Sequence, residues 1–230
     1  MKTILEIAQS VAPKIGIDTP SALLSSTVAE DIELAALANE LAERIARAHD
    51  WQSLKTVATF TGDGSTSGFA IPADYLRMAK DSQMWSSRLI GPMTHVVSSD
   101  QWLEIEVRGF NVVYGAWTIL GDMFEFYPAL ASAETAKCYY ISNKVVRPAS
   151  GSDKAAFTLD DDTFRLGDRL LELHLIWEWR QRKGLNYAED MVTAENALAQ
   201  AISDNKGARI LRQPGVARVG SALAWPGTLS

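Results

Sequence analysis

Between Thr27 and Trp51 the apolar residues recur every three or four positions, which is the spacing of an α-helix with one buried face. Thr27 and Glu30 stand three residues apart at the start of this run and predict a capping box there. Acidic side chains fill the first turn and arginines the last, an order that the helix macrodipole favours. We therefore predict one long amphipathic helix that acts as the spine of the fold, with a buried stripe of Leu34, Leu37, Leu41, Ile45 and Ala48.

The solvent-facing side of this predicted helix carries oppositely charged residues one turn apart, which favours ion pairs within the helix. The expected pairs are Glu40–Arg44 and Glu43–Arg47. A shorter helix is predicted ahead of it over residues 3–12, because the apolar positions there also repeat at helical spacing. Pro13 is expected to end this first helix, since proline lacks the N–H that a helix needs.

After Trp51 the apolar period shortens to two, which is typical of β-strands. Leu103–Val107 (LEIEV) alternates regularly, and the glycine-rich residues 62–68 predict a hairpin loop. Gly121-Asp122 lies between two apolar runs and predicts a two-residue hairpin turn. We expect an antiparallel β module of about six to seven strands. The segments that read as strands are 55–60, 69–72, 75–85, 103–107, 112–120, 123–127 and 136–146.

A second helical block follows a predicted linker at 147–157, which is rich in Gly, Ser and Pro. Asp160-Asp161-Asp162 is expected to cap a helix that Gly184 ends, and a further helix to about Asn205 completes an αα-hairpin. The buried stripe of the first of these helices is predicted as Leu166, Leu170, Leu173 and Trp177.

Trp179 is expected to point away from that stripe. It follows Trp177 by two residues, a step that turns about 200° around a helix. Because aromatic side chains are enriched at protein interfaces, we expect Trp179 to contact a neighbouring subunit. The nearby Arg180, Arg182 and Lys183 do not predict a duplex-binding patch, since the body of the chain is acidic.

The net charge of −6 is unevenly distributed along the chain. After Asp204 there is no acidic residue, and four basic residues follow, which leaves −10 on the rest of the chain. The four are Lys206, Arg209, Arg212 and Arg218. This asymmetry indicates either an interaction arm or a solubilising tail. No apolar run approaches the roughly 20 residues that a bilayer span requires.

No catalytic or metal-binding motif stands out. Residues 62–68 (GDGSTSG) lack the Lys-Ser/Thr pair and the following helix of a phosphate-binding loop. His49, His95 and His174 are scattered along the chain. Cys138 is the only cysteine, which excludes an intramolecular disulfide and a zinc site built on several cysteines. We therefore expect a protein that is not an enzyme and has neither a cofactor nor a metal site.

The order of these segments resembles that of a known family. A short helix precedes a long one that ends in Asp50-Trp51-Gln52, and a strand precedes Ile71-Pro72-Ala73-Asp74-Tyr75. The β module holds Glu125-Phe126-Tyr127-Pro128. The helical hairpin holds Trp177-Glu178-Trp179 and Lys183-Gly184-Leu185-Asn186-Tyr187. Over nearly its whole length the chain resembles the head-to-tail adaptor (connector) proteins of tailed bacteriophages. More distantly, it is similar to the tail tubular protein A of short-tailed phages.

Pattern and resemblance together predict an α+β fold in three parts. Residues 1–52 and 158–206 form a helical bundle domain, residues 53–147 an inserted antiparallel β module, and residues 207–230 an extended C-terminal arm. The resemblance implies a virion protein, made in the host cytoplasm, that forms a ring at the head–tail junction, usually of twelve copies. Its implied partners are the portal protein above and a tail or nozzle protein below, with no membrane involved.

The resemblance also implies roles for particular residues. The arm is expected to grip the portal through Arg209, Arg212, Arg218 and Trp225. A second set is expected to contact neighbouring subunits or to line the channel, and it consists of Glu33, Glu40, Glu43, Arg44, Arg47 and Trp179. Viral DNA would pass through without specific binding, because an acidic wall gains no affinity from neutralising phosphates.

Two other functions stay open at this point. The β module could be the working part of a carbohydrate- or partner-binding virion protein, with exposed aromatic side chains as binding platforms. It could also carry a small hydrolase. Neither alternative accounts for the helical hairpin together with the basic C-terminal segment.

Overall fold

The computed structural model describes residues 1–109 and 112–205 and has the α+β fold that the sequence predicts. Its α-helices are α1 (Ile4–Ile15), α2 (Ala29–Ala48), α3 (Ser99–Arg108), α4 (Asp168–Arg182) and α5 (Ala188–Asn205). Its strands are β1 (Lys55–Thr61), β2 (Gly68–Ala70), β3 (Tyr75–Met78), β4 (Trp85–Ser86), β5 (Thr94–His95), β6 (Ala116–Leu120), β7 (Met123–Tyr127), β8 (Thr135–Ser142), β9 (Val146–Arg147) and β10 (Thr163–Phe164). The predicted arm, 207–230, lies outside the described residues.

Helix α4, rather than the long α2, occupies the centre of the helical part. It contacts α1, α2 and α5, and eight of its fifteen residues are buried. By contrast, Ala194 is the only fully buried residue of α5. A helix that is covered on several sides has no single apolar stripe, which is the signal that sequence periodicity detects. The prediction that the long helix is the spine is therefore wrong.

The predicted long helix itself is confirmed as α2. The Thr27–Glu30 capping box is wrong, because the N-cap position is Val28 and no side chain caps it. The Ser26 hydroxyl orders this end of the helix: it accepts the N–H of Val28 at 3.2 Å and donates to Asp31 at 2.6 Å. Four members of the predicted stripe are buried, whereas Ala48 is exposed; the four are Leu34, Leu37, Leu41 and Ile45.

Helix α1 runs through the proline that was expected to end it. A capping box forms at its start, where Thr3 and Glu6 each accept the other's backbone N–H. The chain stays helical past Pro13 to Ile15, and Gly16 then ends the helix with φ +80°. Pro13 stands in the last turn and removes only one hydrogen bond there, while the buried Ile15 and the glycine cap keep that turn helical.

The β module consists of two sheets that share an aromatic core. One sheet has the order β1-β8-β3, with β4 also paired to β8, and the other has the order β2-β7-β6-β5. Phe60 of β1 packs on Phe124 and Phe126 of β7, with ring centroids 4.9 and 5.5 Å apart. Strand pairs in both sheets are antiparallel, except for β5 with β6, which run parallel.

One of the two predicted hairpins is confirmed. Gly121 and Asp122 join β6 to β7 with φ of +56° and +62°, the two positive values that a type I′ turn requires. Residues 62–68 do not form the expected hairpin, because they carry the chain from one sheet to the other: β1 pairs with β8, whereas β2 pairs with β7. The loop is long because it has to span the distance between the two sheets.

Residues 103–107, predicted as a strand, lie in α3. The Ser98 hydroxyl accepts the N–H of Gln101 at the start of the helix, and Gly109 ends it with φ +63°. Trp102 is buried at its inner side, whereas Leu103 and Val107 are 55% and 76% exposed. The alternation in the sequence therefore arises from apolar residues on two sides of a helix.

The predicted linker at 147–157 is instead part of the folded structure. Lys154 exchanges two backbone hydrogen bonds with Val146, and Phe157 is buried in the helical core. The acidic run that follows does not cap α4, whose N-cap is Gly167. Asp160 instead accepts backbone N–H groups from the segment ahead of α2, and Asp162 is fully buried.

Strand β8 connects the two larger hydrophobic cores of the described chain. Its Cys138 and Tyr140 side chains belong to the aromatic core of the β module. Ile141, next along the strand, belongs to the core of the helical part. Because one strand contributes to both cores, the two parts are joined by packing as well as by the chain itself.

Candidate assembly surfaces

Five of the six residues expected at a subunit interface or channel lie on α2, and three of these five bind α4 or its C-cap residue in the same chain. Residue numbers rise along α2 as they fall along α4, so the two helices run antiparallel. We call this row of ion pairs the α2–α4 seam. The pairs are Glu33–Lys183 (2.6 Å), Glu40–Arg182 (2.6 Å) and Arg44–Glu178 (2.5 Å).

The seam changes the expected pairing within α2. The predicted Glu40–Arg44 pair is wrong, because each of the two side chains reaches α4 instead. The predicted Glu43–Arg47 pair is confirmed at 2.8 Å. The pKa of Arg182 is raised, because its guanidinium donates a hydrogen bond to Glu40. Desolvation lowers this pKa, but its effect is smaller. Exposed pairs of this kind contribute about 0–1 kcal/mol each.

Arg44 makes the most enclosed contact of the seam. Its guanidinium binds Glu178, whose side chain is only 9% exposed, and lies 5.3 Å from the centre of the Trp177 ring. Arg182 approaches the same carboxylate from the other side at 3.7 Å. A carboxylate that is this deeply buried needs its cations, because removal of one partner leaves a poorly solvated charge.

The predicted exposure of Trp179 is wrong. Its side chain is 2% exposed and lies in the helical core, while Trp177 is only partly buried. The buried face of α4 runs through Leu171 and Leu175 to Trp179, in steps of four residues. The sequence pattern predicted the stripe that includes Trp177 instead. It could not distinguish the two, because α4 has apolar side chains on most of its sides.

Two exposed aromatic side chains lie on the outer face of the β1-β8-β3 sheet. Tyr139 and Trp85 are 53% and 51% exposed. Val57 lies directly across from Tyr139 in the pairing of β1 with β8, and Lys137 lies across from Trp85. The ammonium of Lys55 is 6.0 Å from the centre of the Tyr139 ring. We call Lys55, Val57, Trp85, Lys137 and Tyr139 the sheet patch.

Helix α5 presents a face without any basic residue. The helix carries four acids and no Lys or Arg. Asp190 pairs with Arg180, whereas Glu189 and Glu195 form no ion pair within the described part of the chain. We call the exposed side opposite Ala194 the α5 outer face, and its residues are Glu189, Val192, Glu195, Asn196, Ala199 and Ser203.

The chemistry of the remaining reactive side chains favours structural roles. Burial raises the pKa of the Cys138 thiol to about 11, which leaves little thiolate at neutral pH. Burial also lowers the pKa of His174, whose Nδ1 lies 2.8 Å from the Leu170 carbonyl. Across residues 1–109 and 112–205 no group of three or more His, Cys, Asp or Glu side chains could hold a metal ion.

The C-terminal segment begins at the junction of the two parts. The side-chain oxygen of Asn205, the last residue of α5, accepts the N–H of Gln52 at 3.2 Å, at the start of the short 3-10 turn that leads into β1. The predicted arm residues lie beyond this point and outside the described chain; they are Arg209, Arg212, Arg218 and Trp225.

Comparison with known proteins identifies a family. A family model described as SU10 adaptor protein matches residues 2–221, which cover the helical part, the β module and more than half of the C-terminal segment. The search of curated proteins found none that matches this chain. Among the described helices, none combines the length and the apolar composition that a bilayer span demands.

Proposed function

The chain belongs to the SU10 adaptor protein family, and on that premise we propose that it forms a ring between the portal and the tail of a phage virion, through which viral DNA leaves during ejection. Family membership makes it a bacteriophage structural adaptor, and the observation that carries the proposal is the match over residues 2–221. The proposal adds a ring of twelve copies, portal protein on one side and a tail or nozzle protein on the other. From the order of segments alone, we extend it to a distant relation to tail tubular protein A.

We propose that the α2–α4 seam faces the DNA channel. Its cations are each paired with a carboxylate, which supports this assignment because paired cations offer phosphates little net attraction. Glu43 and Arg47 continue the same pattern within α2. A wall of alternating, mutually neutralised charge would let DNA pass without holding it.

We propose that residues 207–230 form the arm that binds the portal. The positive charge of this segment and its lack of acidic residues support the proposal, since such a segment suits an acidic groove on a partner. Trp225 would serve as an apolar anchor, as aromatic residues do at the centre of interfaces. The segment leaves the fold next to Gln52, at the junction of the helical part with the β module.

The arm is tested by removing its charges and then its whole length. We expect deletion of 207–230 to abolish portal binding, and replacement of Arg209, Arg212 and Arg218 by Gln to weaken it about tenfold or more. The matched control removes three exposed charges from the body, at Lys14, Lys80 and Arg169, and leaves portal binding unchanged. Circular dichroism and thermal unfolding establish that each variant is folded. Normal portal binding by the folded deletion variant would refute the arm assignment.

The ring is tested by measuring the mass of the assembled species. We expect mass photometry or electron microscopy to detect a closed ring, formed by the chain alone or on the portal. The portal is included because small interfaces bind weakly, and a partner that holds several copies together favours their assembly. A chain that stays monomeric in both conditions would refute the proposed function.

The second candidate is a carbohydrate- or partner-binding virion protein, and the exposed Trp85 and Tyr139 favour it. Aromatic side chains on an open sheet can stack against sugar rings. Under this alternative, glycans from the host surface should quench tryptophan fluorescence, and Trp85→Ala should remove the quenching. Absence of quenching across a panel of host glycans removes this candidate.

A further inference from the structure

We propose that the α5 outer face of one copy docks on the sheet patch of the next copy, and that this contact joins neighbouring subunits. The inference rests on the proposed ring, because it names the surfaces through which its subunits meet. A contact between two different surfaces is head-to-tail, and such contacts close into rings when the rotation between copies allows it.

The sheet patch has an apolar centre between two unpaired positive charges. Val57, Tyr139 and Trp85 are about half exposed, which is far more than their apolar area favours in water. Lys137 lies across from Thr59, four residues along β1 from Lys55, so the two lysine positions are offset by about 13 Å of backbone along the strand. In the described chain neither lysine forms an ion pair, and no acid belongs to the patch.

The α5 outer face also has an apolar centre between two charges, which here are negative. Glu189 and Glu195 are six residues apart, or about 9 Å along the helix axis, and project about 120° apart around it. Val192 lies midway between them around the helix and is 51% exposed, with Ala199 two turns further on. The small side chains of Ala199 and Ser203 let a flat surface approach the helix closely.

The two surfaces complement each other in charge and in polarity. Two carboxylates and an apolar centre would meet two lysines and an apolar centre, so each charge acquires an ion-pair partner of the opposite sign. The aromatic side chains of the patch supply the larger part of the buried apolar area, as they do at known interfaces. One helix on one patch covers less area than a stable dimer needs, so we expect the contact to be weak in isolation and to persist in the closed ring.

Cross-linking between copies tests the geometry. Val192→Cys and Thr59→Cys are introduced into separate full-length chains, which are mixed, assembled with or without portal and treated with a short bis-maleimide. We expect a covalent dimer only in the mixture, because the native Cys138 is 3% exposed and does not react. In the control, Ser152→Cys, an exposed position away from the patch, replaces Thr59→Cys and yields no dimer. Rings that form but give no dimer from the first mixture would overturn the docking proposal.

Charge reversal tests the electrostatics independently. Lys55→Glu with Lys137→Glu, and separately Glu189→Lys with Glu195→Lys, should each weaken assembly about tenfold or more. A chain that carries all four substitutions should assemble again, because the complementarity is restored with both signs reversed. Circular dichroism and thermal unfolding establish that each of the three variants is folded, because Lys55 lies over the Tyr139 ring and Glu189 stands in the first turn of α5, so these substitutions also change contacts within the chain.

The outcomes separate this inference from the proposed function. If rings form but charge reversal leaves assembly unchanged, the docking proposal falls and the ring survives. If the unmodified chain forms no ring even with portal, both fall. If the variants instead lose quenching by host glycans while assembly stays intact, the patch is a carbohydrate site and the docking proposal is again overturned.

Discussion

Trp177 and Trp179 stand two residues apart on α4 and have opposite surroundings. Trp179 is enclosed in the helical core and is 2% exposed. Trp177 lies at the seam, where the Arg44 guanidinium covers one side of its ring. Its indole N–H is buried and has no hydrogen-bond partner in the part of the chain that the structure describes. Trp179 therefore stabilises the helical core, whereas Trp177 packs against the Arg44 guanidinium at the seam.

Truncation of the two tryptophans should separate these roles. We expect Trp179→Ala to lower the free energy of unfolding by about 3–5 kcal/mol, the cost of a large cavity in a packed core. Trp177→Ala should cost about 1–2 kcal/mol, because its side chain is only partly buried and its cation–π contact is modest. Urea denaturation measures both values, with Trp179→Phe as an intermediate control. An unchanged stability in Trp179→Ala would instead favour the surface role that the sequence suggested.

Helix α3 illustrates how one element can carry two conflicting signals. Leu103, Ile105 and Val107 alternate as in a strand, whereas Ser98 and Gly109 are a helix cap and a helix stop. The end signals prevail because Trp102 and Ile105, three residues apart, can then pack on Val96 and Ala116. Leu103 and Val107 are consequently left in solvent.

The two faces of α3 should respond differently to a charge. We expect Val107→Lys, and likewise Leu103→Lys, to change the free energy of unfolding by no more than about 0.5 kcal/mol, as at other exposed helical positions. Trp102→Lys should cost about 3 kcal/mol or more, since it places a charge in a buried apolar site. Thermal and urea unfolding provide the comparison. A strand with a buried 103–107 face would produce the reverse order.

At the scale of the whole molecule, two buried carboxylates, Asp162 in the helical part and Glu134 in the β module, are each surrounded by hydrogen-bond donors. Burial by itself raises the pKa of Asp162, but hydrogen bonds from Lys154 and from the N–H groups of Thr158 and Leu159 outweigh it, so the pKa is lowered. Glu134 in the β module follows the same rule with other donors, a serine hydroxyl, a backbone N–H and an arginine. Each of these acids therefore binds its proton more readily in the unfolded chain.

Stability should consequently decrease in acid. Above the ordinary carboxyl pKa of about 4, these acids make their full contribution to the free energy of unfolding. That contribution is lost as the pH falls through their lowered folded-state pKa values. We expect a constant free energy of unfolding from about pH 7 to pH 5 and a decline below about pH 4. Asp162→Asn should cost about 3 kcal/mol at pH 7 and make the acid decline shallower.

The control for this prediction is Glu43→Gln, which removes an exposed carboxylate of the α2 surface. Its free energy of unfolding should stay within about 0.5 kcal/mol of the unmodified chain at every pH. An acid decline in Asp162→Asn as steep as in the unmodified chain would show that other groups dominate the acid response.

Patterns of residues close together in the sequence predicted most of the helices and strands, but few of the tertiary contacts between them. The α2 stripe, strand β1 and the Gly121-Asp122 turn depend on residues close together in the chain, and their predictions are confirmed, except that Ala48 of the stripe is exposed. The α2 charges are also visible in the sequence, yet their partners on α4 are more than a hundred residues away. Asp162 was expected to cap a helix, whereas Lys154 and the N–H groups of Thr158 and Leu159 enclose it; these residues are close in the sequence, but the burial of their loop depends on packing.

The sequence by itself determined the α+β class, the long helix, the helical hairpin that turns at Gly184, and the family. These features depend on periodicity, on end signals and on segment order, which need no knowledge of distant contacts. The tertiary structure decided that α4 is the centre, that Trp179 is inside, and that the α2 charges form a seam. The physical reason is burial: which face of an element is covered depends on what packs against it, and that is set by chain segments far away in the sequence.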